Sequence, residues 1–236
     1  MHLPLNTIEL VALAYFLLLW AGFAQYARHR ARHRGKVSLS RALRDHRESW
    51  ATRLLSRDMR MTDASLLASQ ERVVGFFAST TLLLLAAVLT ALTTSEKIAE
   101  LTSHMPFTGT QTSEQVEAKL ALLLLMLIYA FFKVTWSLRQ YGFAGVVMGS
   151  APDPGEQLTA QQRTDFAMNL AKIMDSAGHD NNSCLRAYYF SLAVVCWLFG
   201  LVPFLVASTV IVFVLFNREF RSSAVRGIEK SHIKPP

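Results

Sequence analysis

Lys133 is a strong base inside an otherwise apolar run, Leu120 to Leu138. A cation in hydrocarbon costs several kcal/mol unless it is paired or hydrated, so such a residue is either functional or placed where it escapes. It lies about one and a half turns before Leu138, from where its stem can snorkel toward an interface marked by Trp136, Arg139 and Tyr141. The alternatives are snorkelling and contact with a pore or a partner. In an earlier apolar run Ser79 and Thr80, beside Thr81, offer hydroxyls that can either glue helices together or line a path. Asp58, Arg60 and Asp63 alternate in charge just ahead of that run and suit a salt-bridged elbow, while Arg139 and Arg186 stand at the borders of the last two runs.

Other chemistries find little support. No nucleophile stands with a base and an orienting group, no glycine loop suits phosphate, and no cysteine pair suits zinc. His29 and His33 are four apart, but Arg28, Arg30, Arg32 and Arg34 surround them with repelling charge. No histidine lies within an apolar run, so the axial ligands of a haem bundle are missing. Cys184 and Cys196 fall at different expected depths and give no disulfide framework. Neither a metal nor a cofactor is expected, and catalysis is not indicated.

The elements that must position these residues are long. Four apolar blocks, Ile8–Ala27, Val73–Leu92, Leu120–Leu138 and Ala187–Phe216, hold most of the hydrophobic residues, which make up 52% of the 236-residue chain. Runs of about 18 or more apolar residues suit a hydrocarbon core of roughly 30 Å. A soluble all-α protein is the poorer reading, because no second core remains for the polar helices to enclose. The first block has its basic cluster after it, the reverse of a signal peptide, and reads as an uncleaved anchor with its N-terminus outside.

Charge then orients the chain. Twelve Arg or Lys against five Asp or Glu between Arg28 and Arg72 hold that loop on the cytoplasmic side, next to anionic lipid. This position explains the net charge of +7 without nucleic acid. The acidic loop 93–119, with His104, Pro106 and Gly109, belongs outside, and 139–186 returns to the cytoplasm. Arg218, Arg221, Arg226, Lys230 and Lys234 disagree, because four crossings would leave them outside. Either the last block is one kinked crossing, with Gly200 and Pro203 near its middle, or it is a hairpin that returns inside. Two arms of about 15 residues are short for a membrane, which favours the single crossing.

Inside, Leu39, Leu43, Trp50 and Leu54 share a helical face opposite Arg41, Arg44, Arg47 and Arg53. Such a helix either lies on the membrane surface or packs against other cytoplasmic helices. Thr62 and Asp63 suit the N-cap of a helix running into the second block. After a turn at Pro152, Pro154 and Gly155, Thr159 and Gln162 match a capping box for a short amphipathic helix ending near Gly178. Gly75 with Ser79, and Gly145 with Gly149, have the four-residue spacing of close helix approach. The fold expected is all-α: a single integral membrane domain over 1–236, a multi-pass bundle of four membrane helices with amphipathic cytoplasmic helices.

Five strings occur in order: Arg60–Asp63, FFASTT at 76–81, FKVTWSLRQ at 132–140, LRAYYF at 185–190 and NREFRS at 217–222. From about Trp50 to Ser222 the chain resembles the bacterial family called domain of unknown function 599. The resemblance implies a multi-pass membrane protein and supplies no reaction. Where that family has Arg-Gly or similar before LRAYYF, this chain has Ser183 and Cys184, which predicts a differently built turn into the last helix. The functional expectation is a non-enzymatic inner-membrane scaffold or accessory subunit. Its partners are the bilayer, anionic lipid at the cytoplasmic face, and a protein partner or further copies of itself. The alternative is a homo-oligomeric channel or transporter.

Overall fold

In the computed structural model, which describes residues 5–32, 38–103 and 111–233, eight helices and no strand are found among the described residues. They are α1 (Thr7–Arg32), α2 (Leu39–Leu54), α3 (Met61–Leu92), α4 (Ser95–Ser103), α5 (Ser113–Gly149), α6 (Ala160–Trp197), α7 (Leu201–Phe220) and α8 (Ser223–Lys230). Arg34 and Lys36 of the basic cluster, the His33 half of the histidine pair, His104, Pro106, Gly109 and Lys234 lie outside the described residues. Helices α1, α3, α5 and α7 are long and apolar enough to cross a membrane, so the all-α bundle with four such helices stands as expected.

Local chemistry starts the helices where the sequence allows it. At α6 the Thr159 hydroxyl accepts from Gln162 N at 3.2 Å and Thr159 N donates to Gln162 Oε1 at 2.9 Å, the reciprocal capping box expected there. The same exchange opens α1 between Asn6 and Glu9, and α5 between Thr112 and Gln115. Helix α3 begins at Met61, so Thr62 and Asp63 fall inside its first turn and neither is its N-cap.

The chain divides into two compact units. Unit 1 takes 1–29, 79–132 and 183–216; unit 2 takes 30–78, 133–182 and 217–236. In unit 1, Phe16, Phe190 and Phe204 are fully buried, and Phe16 meets both other rings, with centroids 5.6 and 5.2 Å away. Residues 190 and 204 on one continuous helix would be about 21 Å apart along its axis. The chain therefore reverses between them, and Trp197 stacks on Phe204 at 4.4 Å and 8° across the turn. This corrects the expectation of one kinked crossing over 187–216: the end of α6 and the start of α7 form a helical hairpin.

Gly200 makes the reversal, with φ at 122°, a conformation that side chains with a Cβ resist. Pro203 then falls in the first turn of α7, where its missing N–H is one of those a helix leaves unbonded anyway. It starts a helix instead of kinking one. The beginnings of α1 and α5 gather at the hairpin's turn: Lys119 Nζ lies 3.1 Å from Glu9 Oε1, and Gln111 Nε2 donates to Leu198 O at 2.9 Å. Toward the far end of α1, Tyr26 stacks on Phe216 at 6.3 Å.

Three further boundaries change. The expected irregular loop 93–119 contains α4 and the first turns of α5. The short helix expected to stop near Gly178 continues as α6 to Trp197, so no turn occurs at Ser183 and Cys184. Contacts made by Asp175 and Asp180 hold this polar stretch helical against its weak propensity. At Gly75 and Gly149 an added Cβ would meet nothing within 4 Å, so close helix approach does not use them, whereas at Gly145 it would meet Leu67 Cδ2 at 3.5 Å.

Candidate functional site

Polar groups of unit 2 converge on four carboxylates, Asp175, Asp180, Asp63 and Glu219. Asp175 of α6 faces α2, where it receives Arg44 Nε at 2.9 Å and Arg47 Nη1 at 3.0 Å. Arg47 has room to reach it because Gly178, about one turn further on, has no side chain: a Cβ there would stand 2.4 Å from Arg47 Nη2. Asp180, about half a turn beyond Gly178, is buried and accepts from Lys133 Nζ and from Gln140 Nε2, each at 2.7 Å. Beside it Ser137 Oγ donates to Ala177 O at 2.7 Å, so α5 and α6 are joined by three polar contacts over about two turns.

Asp63, with no exposed surface, is the third. Trp50 Nε1 of α2 donates to its Oδ1 at 2.5 Å, and Arg57 pairs with the same oxygen. Arg60 turns the other way and donates to two backbone oxygens, Ala151 O at 2.7 Å and Pro152 O at 2.5 Å, fastening the chain after α5. The elbow expected from Asp58, Arg60 and Asp63 therefore exists with other members: Arg57 and Trp50 join Asp63, Arg60 clamps carbonyls, and Asp58 is exposed.

Helix α2 lies at the centre of this arrangement. Its N-terminal hydroxyls Ser38 and Ser40 both donate to Glu219 Oε1, at 2.9 and 2.7 Å. His46 Nε2 lies 2.7 Å from Ile228 O, while His232 Nε2 lies 2.9 Å from Ser49 Oγ. Of the two readings of this amphipathic helix, packing against neighbouring helices is the one found. A small open cavity of about 160 Å³ between α2 and α6 is lined by Thr52, Ser56, Arg163 and Met168 among others.

The family model described as "Protein of unknown function, DUF599" matches residues 11–224. The chain belongs to this family. The match reaches further toward the N-terminus than the five strings do and takes in most of α1. No curated protein and no solved structure matches the DUF599 chain.

The remaining sequence candidates scatter. Ser79 is exposed and Thr80 half-buried, while their neighbour Thr81 is fully buried in unit 1 and meets the Tyr188 hydroxyl. Arg139 is exposed with its guanidinium 5.5 Å from the Phe143 ring centre, and Arg186 donates to Ser183 Oγ at 3.2 Å. Lys133 does not depend on snorkelling alone, since its ammonium is paired with Asp180. Sequence reading of the DUF599 chain missed Asp175, Asp180 and Glu219. A signal was present for Asp180, because a lysine near an apolar run calls for a counter-charge and Asp180 precedes the last run.

Proposed function

We propose that the protein is a non-enzymatic scaffold or accessory subunit of a bacterial inner membrane, with the basic loop 28–72 on the cytoplasmic side and the N-terminus outside. The observation that carries this reading is the engagement of its charged residues with one another. Asp63, Asp175, Asp180, Arg44, Arg47, Arg60 and Lys133 bond to other helices or to backbone, which builds a rigid body and leaves their chemistry occupied. A channel lined by Lys133 is the weaker alternative, since Asp180 of the same chain neutralises that cation.

Orientation is supported by the hairpin and by charge. Of the 24 Lys and Arg, only Arg28, Lys97, Lys119 and Arg186 belong to unit 1. The chain passes between the units five times, so the basic residues after Phe216 join the same unit as the basic segment after His29. A hairpin over 187–216 returns the chain to the side from which it entered, so the basic residues after Phe216 come to the side of the basic loop 28–72, as the positive-inside rule asks.

Native mass spectrometry of the tagged protein, expressed at natural level and extracted in mild detergent, tests the role. A reproducible foreign subunit is the expected result, and a closed homo-oligomer without one would favour the pore. Reporter fusions after Pro236 test the orientation: cytoplasmic activity is expected, and a reporter active only outside would overturn it.

A further inference from the structure

The outward face of α5 shows an apolar stripe that continues past the end of any minimal membrane span. Phe132, Trp136, Arg139, Phe143 and Val146 follow one another at intervals of four, three, four and three residues, and all are exposed. Exposure is 67% at Phe132, 50% at Trp136 and 74% at Val146, and Leu125, two turns earlier, is also exposed. A stripe from Leu125 to Val146 is about 31 Å long at 1.5 Å per residue. Since the apolar run begins at Leu120, five residues before Leu125, its whole apolar length exceeds a core of roughly 30 Å, yet fits within the roughly 40–45 Å that includes the headgroups.

Charge says what kind of surface covers the far part of this stripe. Within unit 2, α3 and α5 run antiparallel, because a Cβ at Gly145 would meet Leu67 at 3.5 Å and one at Gly142 would meet Glu71 at 4.0 Å. This register puts Arg72 of α3 level with residue 141 or thereabouts, roughly 3 Å along the axis from Arg139. Both arginines are exposed. On α5 the apolar side chains Trp136 and Phe143 flank Arg139, and on α3 Val73 and Phe76 follow Arg72. Two exposed arginines at nearly one level of the paired helices, bordered by aromatic residues, suit a layer of phosphodiester headgroups above acyl chains.

We infer that the stripe Trp136–Val146 is a lipid-docking surface for the anionic cytoplasmic leaflet, with Arg72 and Arg139 holding phosphodiester headgroups and Phe143 and Val146 immersed at the headgroup boundary. The inference rests on the membrane reading above and deepens it. Unit 2 then has one face in the leaflet. Trp136 and Phe143 enter as rings that favour the interface, and Arg139 lies over Phe143 with its charge directed at lipid phosphate.

The test places spin labels at Phe143→Cys, Val146→Cys and Leu125→Cys, one at a time, in a Cys196→Ala background; Cys184 is fully buried and stays. Each variant is reconstituted into nanodiscs of phosphatidylcholine alone or with phosphatidylglycerol, and its collisions with oxygen and with a water-soluble nickel chelate are compared. The expected result is oxygen collision with little nickel collision at 143 and 146 in the anionic discs. Nickel access should rise there when phosphatidylglycerol is omitted or when Arg72→Gln and Arg139→Gln are added. Nickel access at 143 and 146 in the anionic discs, with Leu125 still in lipid, overturns the inference and leaves the membrane reading intact. Labels shielded from both reagents also overturn it, because protein then covers the stripe. No response to the arginine changes or to phosphatidylglycerol overturns the assignment of anionic headgroups. Nickel access at Leu125 itself counts against the membrane reading.

Discussion

Unit 1 and unit 2 are held together by different forces. Around Phe16 in unit 1, packing is aromatic on aromatic: Phe190, Phe204 and Trp197 are buried almost completely, and Trp20 meets Tyr129 edge-on at 5.5 Å. Unit 2 instead joins its helices through carboxylates that each receive two donors, as Asp63, Asp175 and Asp180 do. The proposed membrane placement accounts for the difference. Against lipid there is no hydrophobic gain from helix association, so shape and ring contact must hold helices together. Where water reaches the surface, charge-assisted bonds can be partly exposed without the full desolvation cost.

Lys119 and Glu9 break the pattern, and they give the largest expected effect. This ion pair belongs to unit 1, yet its side chains are only 2% and 11% exposed. Gln111 Oε1 accepts from the ammonium at 2.7 Å, and the Trp197 ring lies 5.4 Å from it. Removing Lys119 leaves Glu9 without its counter-charge, so Lys119→Ala should destabilise the protein by about 3–5 kcal/mol. The double variant Lys119→Met, Glu9→Leu should recover most of that loss. Denaturant unfolding in detergent, followed by circular dichroism, checks both, and a double variant as unstable as the single would show that the pair is more than a local tether.

In unit 2 the corresponding change is smaller because water can reach part of the network. Asp175→Ala removes the shared acceptor of Arg44, which is 42% exposed, and Arg47, which is 19% exposed. The expected loss is about 1–3 kcal/mol, centred on the docking of α2. Hydrogen exchange should speed up in α2 and little in α1. Equal acceleration in both helices would mean that the two units unfold as one and would remove the contrast drawn between them.

How much of this was legible follows the same division. Apolar runs long enough to cross a membrane stand out in a sequence because lipid demands length without charge, and α1, α3 and α5 contain the first three blocks. The fourth block misled because Gly200 and Pro203 are compatible both with a kink in one helix and with the end of one helix and the start of the next. The meeting of Phe190 and Phe204 on Phe16, with Gly200 at φ 122°, separates the two. In unit 2 the charged candidates were visible by type, but their partners lie far away in sequence: Arg60 bonds Ala151 and Pro152, and Lys133 bonds Asp180. Local spacing carries no information about such pairs. Asp175 and Asp180 were hidden further by a helix end expected near Gly178, where glycine in fact makes room for an arginine.

That role of Gly178 gives a third prediction. In Gly178→Ala the new methyl would press on the end of Arg47, a flexible side chain that can move away only by giving up its bond to Asp175. A loss of about 1–3 kcal/mol is expected from overpacking. Combined with Asp175→Ala, the two effects should add to less than their sum, since the second change removes what the first disturbs. A double-mutant cycle reads this directly. Full additivity would show that Arg47 keeps its place and that the methyl is accommodated elsewhere.

The smallest effect belongs to the hairpin turn. Gly200→Ala puts a Cβ on a backbone with φ at 122°, and the strain should amount to about 1–2 kcal/mol. Phe204 remains stacked on Trp197 and both stay packed near Phe16, so the ring contacts of unit 1 oppose straightening of the turn. The expected outcome is a modest drop in unfolding midpoint with a reporter after Pro236 still on the cytoplasmic side. Should the substitution move that reporter outside, the turn residue and not the aromatic packing would be what reverses the chain. The contrast between an aromatic unit and a charge-bonded one would then fail at the place where the chain's topology is decided.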